Sequence, residues 1–149
     1  MNLTLTDVTL TLDTGAYASG DLLANTQVVT GAFSVTNGKG ILHSVMVIDE
    51  DDNGAAFDLY FLSANNSFGS ENSAPSIADA DARDILCIVP IGTGDYKDLG
   101  GVKVAEVHGL NRVVKAVSGS ADLYVAAVNG SGSPTYTASG VKLRVGIIQ

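Results

Sequence analysis

Apolar and polar residues alternate with a period of two along most of this chain, the signature of half-buried strands. The opening LTLTDVTLTLDT places Leu3 and Leu5 on one face and Val8, Leu10 and Leu12 on another, with a slip at Thr6–Asp7. Such a slip predicts a bulge or a bend between sheets. TQVVTGAFSV is the next strand, and the NGKG that follows is a hairpin signal. ILHSVMVID and AAFDLYFLS read as strands, and ANNSFGSENSAP as a long surface loop. SIADADARDI predicts one short helix near residues 76–85: Pro75 precedes it, Ser76 can cap it with Asp79 in the capping-box position, and Asp79 and Arg83 stand four apart. LCIVPI is a buried strand ended by Pro90, and IGTGDYKDLGG a loop. VKVAEV, RVVKAV, DLYVAAV and VKLRVGII are four further strands. The pattern predicts a single all-β domain over residues 1–149: an antiparallel β-sandwich or jelly roll of about eight to nine strands. Long helices do not alternate with the strands, which argues against a parallel α/β sheet.

Composition agrees. The chain has 149 residues, 46% of them hydrophobic, no Trp and three Pro. At this length folding buries roughly 70% of the surface of the extended chain, enough for a true core. The lone Cys87, inside an apolar run, reads as a small buried hydrophobe and cannot form an internal disulfide. The N-terminus lacks a basic flank with a continuous apolar core, so it does not read as a signal peptide. No apolar run approaches the ~20 residues of a membrane helix. The expectation is a soluble protein made in the cytoplasm, without a membrane partner.

The net charge of −8 argues against a nucleic-acid partner. Its distribution is uneven. Residues 1–96 carry 13 acidic side chains against Lys39 and Arg83, and residues 97–149 carry six basic ones against Asp98, Glu106 and Asp122. The C-terminal third is therefore either an ordinary solvated surface or a weakly basic face for an acidic protein.

The stretch with the most chemistry is DEDDNG. Asp49, Asp51, Asn53 and Gly54 match the start of a calcium-binding loop of the EF-hand type. The twelfth position is Tyr60, where a bidentate carboxylate is needed, and the flanks are strand-like rather than helical. A tight hairpin turn at Asn53–Gly54 explains the same residues and is the preferred reading, with a weak calcium site at Asp49, Asp51 and Asn53 as the alternative. No cofactor is expected. His43 and His108 read as structural or exposed, and because neighbouring strand residues face opposite ways, Ser44 does not join His43 in a catalytic pair. No metal spacing or phosphate loop is present, so no enzymatic activity is expected. Tyr17, Tyr96 and Tyr136 fall in loops and could form the aromatic platform of a carbohydrate-binding module.

The last strand, VKLRVGII, places Val141, Leu143, Val145 and Ile147 on a core face and Lys142, Arg144, Gly146 and Ile148 on the other. Read as an edge strand, it offers Lys142, Arg144 and Ile148 to a partner; the alternative is that the two cations are solvated and only guard the edge.

Three segments, VIDEDDNGAAFDLYFL, SIADADARDILCIVPI and DLYVAAVNGSGSPTYTASGVKLRVGIIQ, together resemble small structural proteins of tailed bacteriophages, including capsid decoration (cement) proteins. The resemblance runs from about residue 40 to the end and carries no catalytic motif. It implies a virion component on the capsid surface that binds and stabilises the major capsid protein, as a homo-oligomer, for instance a trimer at lattice threefolds. A neck or tail location and a sugar-binding β-sandwich remain the alternatives.

Overall fold

The computed structural model describes residues 1–149. Nine strands form two antiparallel sheets: β1 (Leu3–Thr9), β2 (Leu22–Val29), β3 (Lys39–Asp49), β4 (Phe57–Leu62), β5 (Ile85–Ile91), β6 (Tyr96–Asp98), β7 (Lys103–Lys115), β8 (Leu123–Asn129) and β9 (Val141–Ile148). The five-stranded sheet has the order β1-β9-β3-β7-β6, the four-stranded sheet β2-β8-β4-β5. The pairings are nested. β4 pairs with β5, β3 with β7, β2 with β8 and β1 with β9. A long hairpin of paired strands, rolled so that successive pairs fall in alternate sheets, is a jelly roll.

Alternation fills the space between the sheets. Leu42, Val45 and Val47 of β3 and Val141, Leu143, Val145 and Ile147 of β9 face Phe57, Leu59 and Phe61 of β4 and Leu123, Val125 and Ala127 of β8 in one core cluster. Burying each such Val, Leu or Phe contributes about 1.5–3 kcal/mol. A second, smaller cluster lies outside the four-stranded sheet. There Phe68, from the long connection between β4 and β5, packs on Leu22, Leu62 and Ala126, with its ring edge-on to Tyr60 at 5.3 Å. That connection therefore covers one outer face of the sandwich and is more than a surface loop. No loop does the same for the outer face of the five-stranded sheet.

Several local readings change. The slip at Thr6–Asp7 is not a bulge: β1 pairs with β9 without interruption from Leu3↔Ile148 to Thr9↔Lys142. Val8 points inward while Leu3 and Leu5 point out, 69% and 68% exposed. NGKG is not a hairpin, because β2 and β3 lie in different sheets. Strand β2 ends at Val29, well before Asn37, and Asn37 instead takes a positive φ and accepts the Gly119 N–H on its side chain. The helix near 76–85 is a single 3₁₀ turn, Asp81–Asp84, and Ser76 does not cap it: the Ser76 N–H donates to Phe68 O. VKVAEV and RVVKAV are one strand, β7, with a register shift against β3 and positive φ at Gly109 and Asn111, which puts His108 in a strand. The loop IGTGDYKDLGG contains β6, anchored by Tyr96, whose hydroxyl donates to Ala55 O at 2.9 Å. No helix is long and apolar enough to cross a membrane.

Candidate interaction face and the loop at Asp49

DEDDNG crosses from the five-stranded to the four-stranded sheet, so it is not the hairpin turn expected from Asn53–Gly54. The reason is Asp49. Its side chain is buried at the end of β3, and its two carboxylate oxygens accept the N–H groups of Asp51 (3.0 Å) and Gly54 (2.8 Å). The chain thereby wraps around the carboxylate, with positive φ at Asp52 and Gly54. Asp51 accepts the Thr137 N–H at 2.9 Å and its hydroxyl at 3.1 Å, tying this loop to the one before β9. The Asn53 side chain donates to Thr135 O. Both Asp49 oxygens are thus engaged with backbone donors and the Asp51 carboxylate with Thr137, and no group of three or more metal-ligating His, Cys, Asp or Glu side chains is assembled in the protein. Burial pushes the Asp49 carboxyl above the ordinary range, opposed by its backbone hydrogen bonds.

The tyrosines are not a sugar platform. Tyr17 and Tyr136 are core residues with rings 6.1 Å apart edge-to-face, and Tyr96 is half-buried against the same core. Tyr17 is anchored by donating to Leu23 O at 2.9 Å.

The candidate partner residues Lys142, Arg144 and Ile148 do share the outer face of β9 with Gly146. Strand β9, however, lies between β1 and β3 and is not an edge. Edge addition at β9 is excluded, and what remains is its outer face. Register places the neighbours in rows across that face. The first row is Leu3, Ile148, Ile41 and Val113, the second Leu5, Gly146, Ser44 and His108, the third Asp7, Arg144, Met46 and Glu106. Neither cation is free. Arg144 grips Asp7 with two hydrogen bonds, Nε to Oδ1 at 2.8 Å and a terminal nitrogen to Oδ2 at 3.2 Å. This pair lowers the Asp7 pKa and raises that of Arg144. Lys142 Nζ lies 2.7 Å from Glu50.

The most exposed apolar groups on this face are Leu3, Leu5 and, at 71%, Val113, beside the exposed polar side chains of Glu106 and His108. Between Leu5 and Ser44 the missing side chain of Gly146 leaves a depression of about 260 Å³, floored by Gly146 and rimmed by Leu3, Leu5, His43 and Ile148. The register irregularity between Leu42 and Ser44 lets both His43 and Ser44 line it, against strict strand alternation.

No protein-family model matches the chain, and no curated protein matches it. Among solved structures, a chain titled Desmodium yellow mottle tymovirus aligns over 98% of this chain and 79% of its own, at 13% identity and a TM-score of 0.31. A likeness this loose adds nothing to the jelly-roll description, which rests on the strand pairing itself.

Leu3, Leu5, Ile41, Met46 and Val113 are the face residues that alternation alone missed. Their signal was present in β1. A strand whose apolar set changes face midway either bulges or exposes part of that set, and here it exposes Leu3 and Leu5.

Proposed function

We propose that the protein is a structural component of a tailed-bacteriophage virion, a decoration protein that binds the major capsid protein and stabilises the assembled shell. The observation that carries this reading is the bare apolar row Leu3–Ile148–Ile41–Val113, on the one outer sheet face that no loop of the chain covers. Contiguous exposed apolar surface marks an interaction site. The jelly roll serves viral capsid and lectin domains alike, so the fold by itself does not choose between them. The burial of Tyr17 and Tyr136 takes away the aromatics that the sugar-binding alternative needs. The resemblance of the three segments to phage structural proteins supports the virion reading.

In this reading the protein carries out no chemistry. Whatever binds only the assembled shell shifts the equilibrium toward it, and many weak contacts repeated over a lattice, from an oligomeric protein, give avidity.

Co-sedimentation with purified capsids tests it. The triple variant Leu3→Asp, Leu5→Asp, Val113→Asp changes only exposed side chains and should melt close to wild type while its capsid occupancy falls at least tenfold. Because Lys142 and Arg144 are paired internally, occupancy should depend weakly on salt. Undiminished binding of the triple variant would rule out this face. Binding to tails or necks instead of shells would move the protein within the virion. A hit on a glycan array without capsid binding would favour the sugar-binding alternative.

A further inference from the structure

We infer that the open side of the sandwich, between β5 and the second half of β7, receives an extended acidic segment of a partner protein, which adds to the four-stranded sheet as a fifth strand along Ile85–Ile88. This inference is independent of the virion reading and concerns a surface that meets the proposed capsid face only at Val113.

Strand β5 is the outermost strand of its sheet and pairs only with β4. In the facing sheet, β6 covers β7 only from Lys103 to Ala105, so β7 is open beyond that point. The two open edges bound a groove of about 560 Å³, with Ile85–Ile88 on one wall and Asn111–Val113 on the other. An unpaired strand edge is a template for another strand.

Pro90 limits where that strand can sit. A proline is tolerated in a strand where its nitrogen faces away from the partner strand. The amide of Ile88, two residues earlier, then faces outward as well, and unlike Pro90 it carries a hydrogen. Pairing is thus confined to the part of β5 before Pro90 and centres on Ile88, because β5 is irregular against β4 between Cys87 and Ile85; the groove lies there. Ile88 itself is 44% exposed.

Charge selects the occupant. Arg112 is the only charged residue lining the groove, on a protein of net charge −8. The three ion pairs of the protein are made by Lys103, Lys142 and Arg144, so Arg112 has no carboxylate partner. The register shift that begins after His108 carries Arg112 to the groove, and Asn111 beside it adopts a positive φ of 52°. A second copy of the chain would bring another cationic groove to this one. An acidic side chain on an incoming strand would instead give the guanidinium a bidentate partner, which Arg recognises well.

The test uses the intact protein and the peptide acetyl-Thr-Val-Thr-Val-Asp-Val-amide, with Asn replacing Asp in a control. The Asp peptide should bind and slow hydrogen exchange at the Ile88 amide and along residues 111–113. The Asn peptide should bind about tenfold more weakly, as expected for loss of a charge-assisted hydrogen bond. Arg112→Gln, an exposed change, should bring the Asp peptide down to the level of the control. Ile88→Pro, which removes the outward amide at an edge, should abolish binding of both peptides. Equal binding of the two peptides, or no protection of β5 at millimolar peptide, would overturn the proposal. So would protection of β5 that follows protein concentration without peptide, which would assign the edge to a second copy.

Discussion

At the scale of single residues, two kinds of buried polar group hold the loop end of the sandwich together. Asp49 satisfies two backbone N–H groups at once. Asp49→Ala should orphan both and cost about 2–4 kcal/mol in urea unfolding, since each unsatisfied buried donor costs roughly 1–3 kcal/mol. Burial raises its pKa, so the proton stabilises the folded form. Its contribution is fullest below the ordinary aspartate value, near 3.9, and declines as pH rises through the raised folded value. Asp49→Asn should flatten that part of the stability–pH curve. The tyrosines act at the other end of the scale. Burial pushes the Tyr17 hydroxyl up to about 12, and those of Tyr96 and Tyr136 higher still. Stability should therefore be lost as pH rises from about 10, the unperturbed tyrosine value, through the raised folded values. Ultraviolet titration of tyrosinate alongside circular dichroism checks this, and ionisation of all five tyrosines near pH 10 with the fold intact would contradict it.

At the scale of elements, strand β9 is wedged between β1 and β3, and two glycines set how closely the strands approach. A Cβ on Gly40 would come within 2.6 Å of the Ile148 carbonyl oxygen and 2.9 Å of an Ile147 methyl. Neither backbone nor core can yield cheaply, so Gly40→Ala should cost about 1–3 kcal/mol. A Cβ on Gly146 would meet Ser44 Oγ at 2.5 Å. Gly146→Ala should therefore be milder and be rescued by Ser44→Gly, a coupling that a double-mutant cycle measures. These contacts also show how much could be read from the chain alone. The inward set of β9, Val141, Leu143, Val145 and Ile147, followed from alternation and is buried throughout. That β9 is a central strand did not follow, because alternation gives a strand's faces and is silent about its neighbours. NGKG and DEDDNG carry the residues of hairpin turns, yet both bridge the two sheets. Positive φ at Asn37 and Gly54 is needed for a sharp change of direction, and a crossover uses that as readily as a hairpin. The capping signal at Ser76 lost to the backbone bond with Phe68, which pins the long connection over Leu22 and Leu62. The candidate residues on β9 lie on its outer face, as alternation gives, and their charges are neutralised at home by Asp7 and Glu50.

For the whole molecule, the two outer faces differ: one is covered in part by Phe68 and its connection, over Leu22, Leu62 and Ala126, and the other leaves Leu3, Leu5 and Val113 exposed. The nesting of the strand pairs has a kinetic consequence as well. Only β6 with β7 and, across a longer connection, β4 with β5 are near enough in sequence to meet early, and around β4 and β5 each further pair encloses the last, out to β1 and β9, joined as far apart as Leu3 and Ile148. Closure of such long loops is slow, so refolding after dilution from urea should take milliseconds to seconds and not microseconds. During translation β1 has no partner until β9 has left the ribosome. For that interval the core residue Val8 of β1 and the β9-facing side of β3 stay uncovered, and the growing chain depends on a chaperone's shelter or on its own acidic repulsion to stay apart from its neighbours on the polysome.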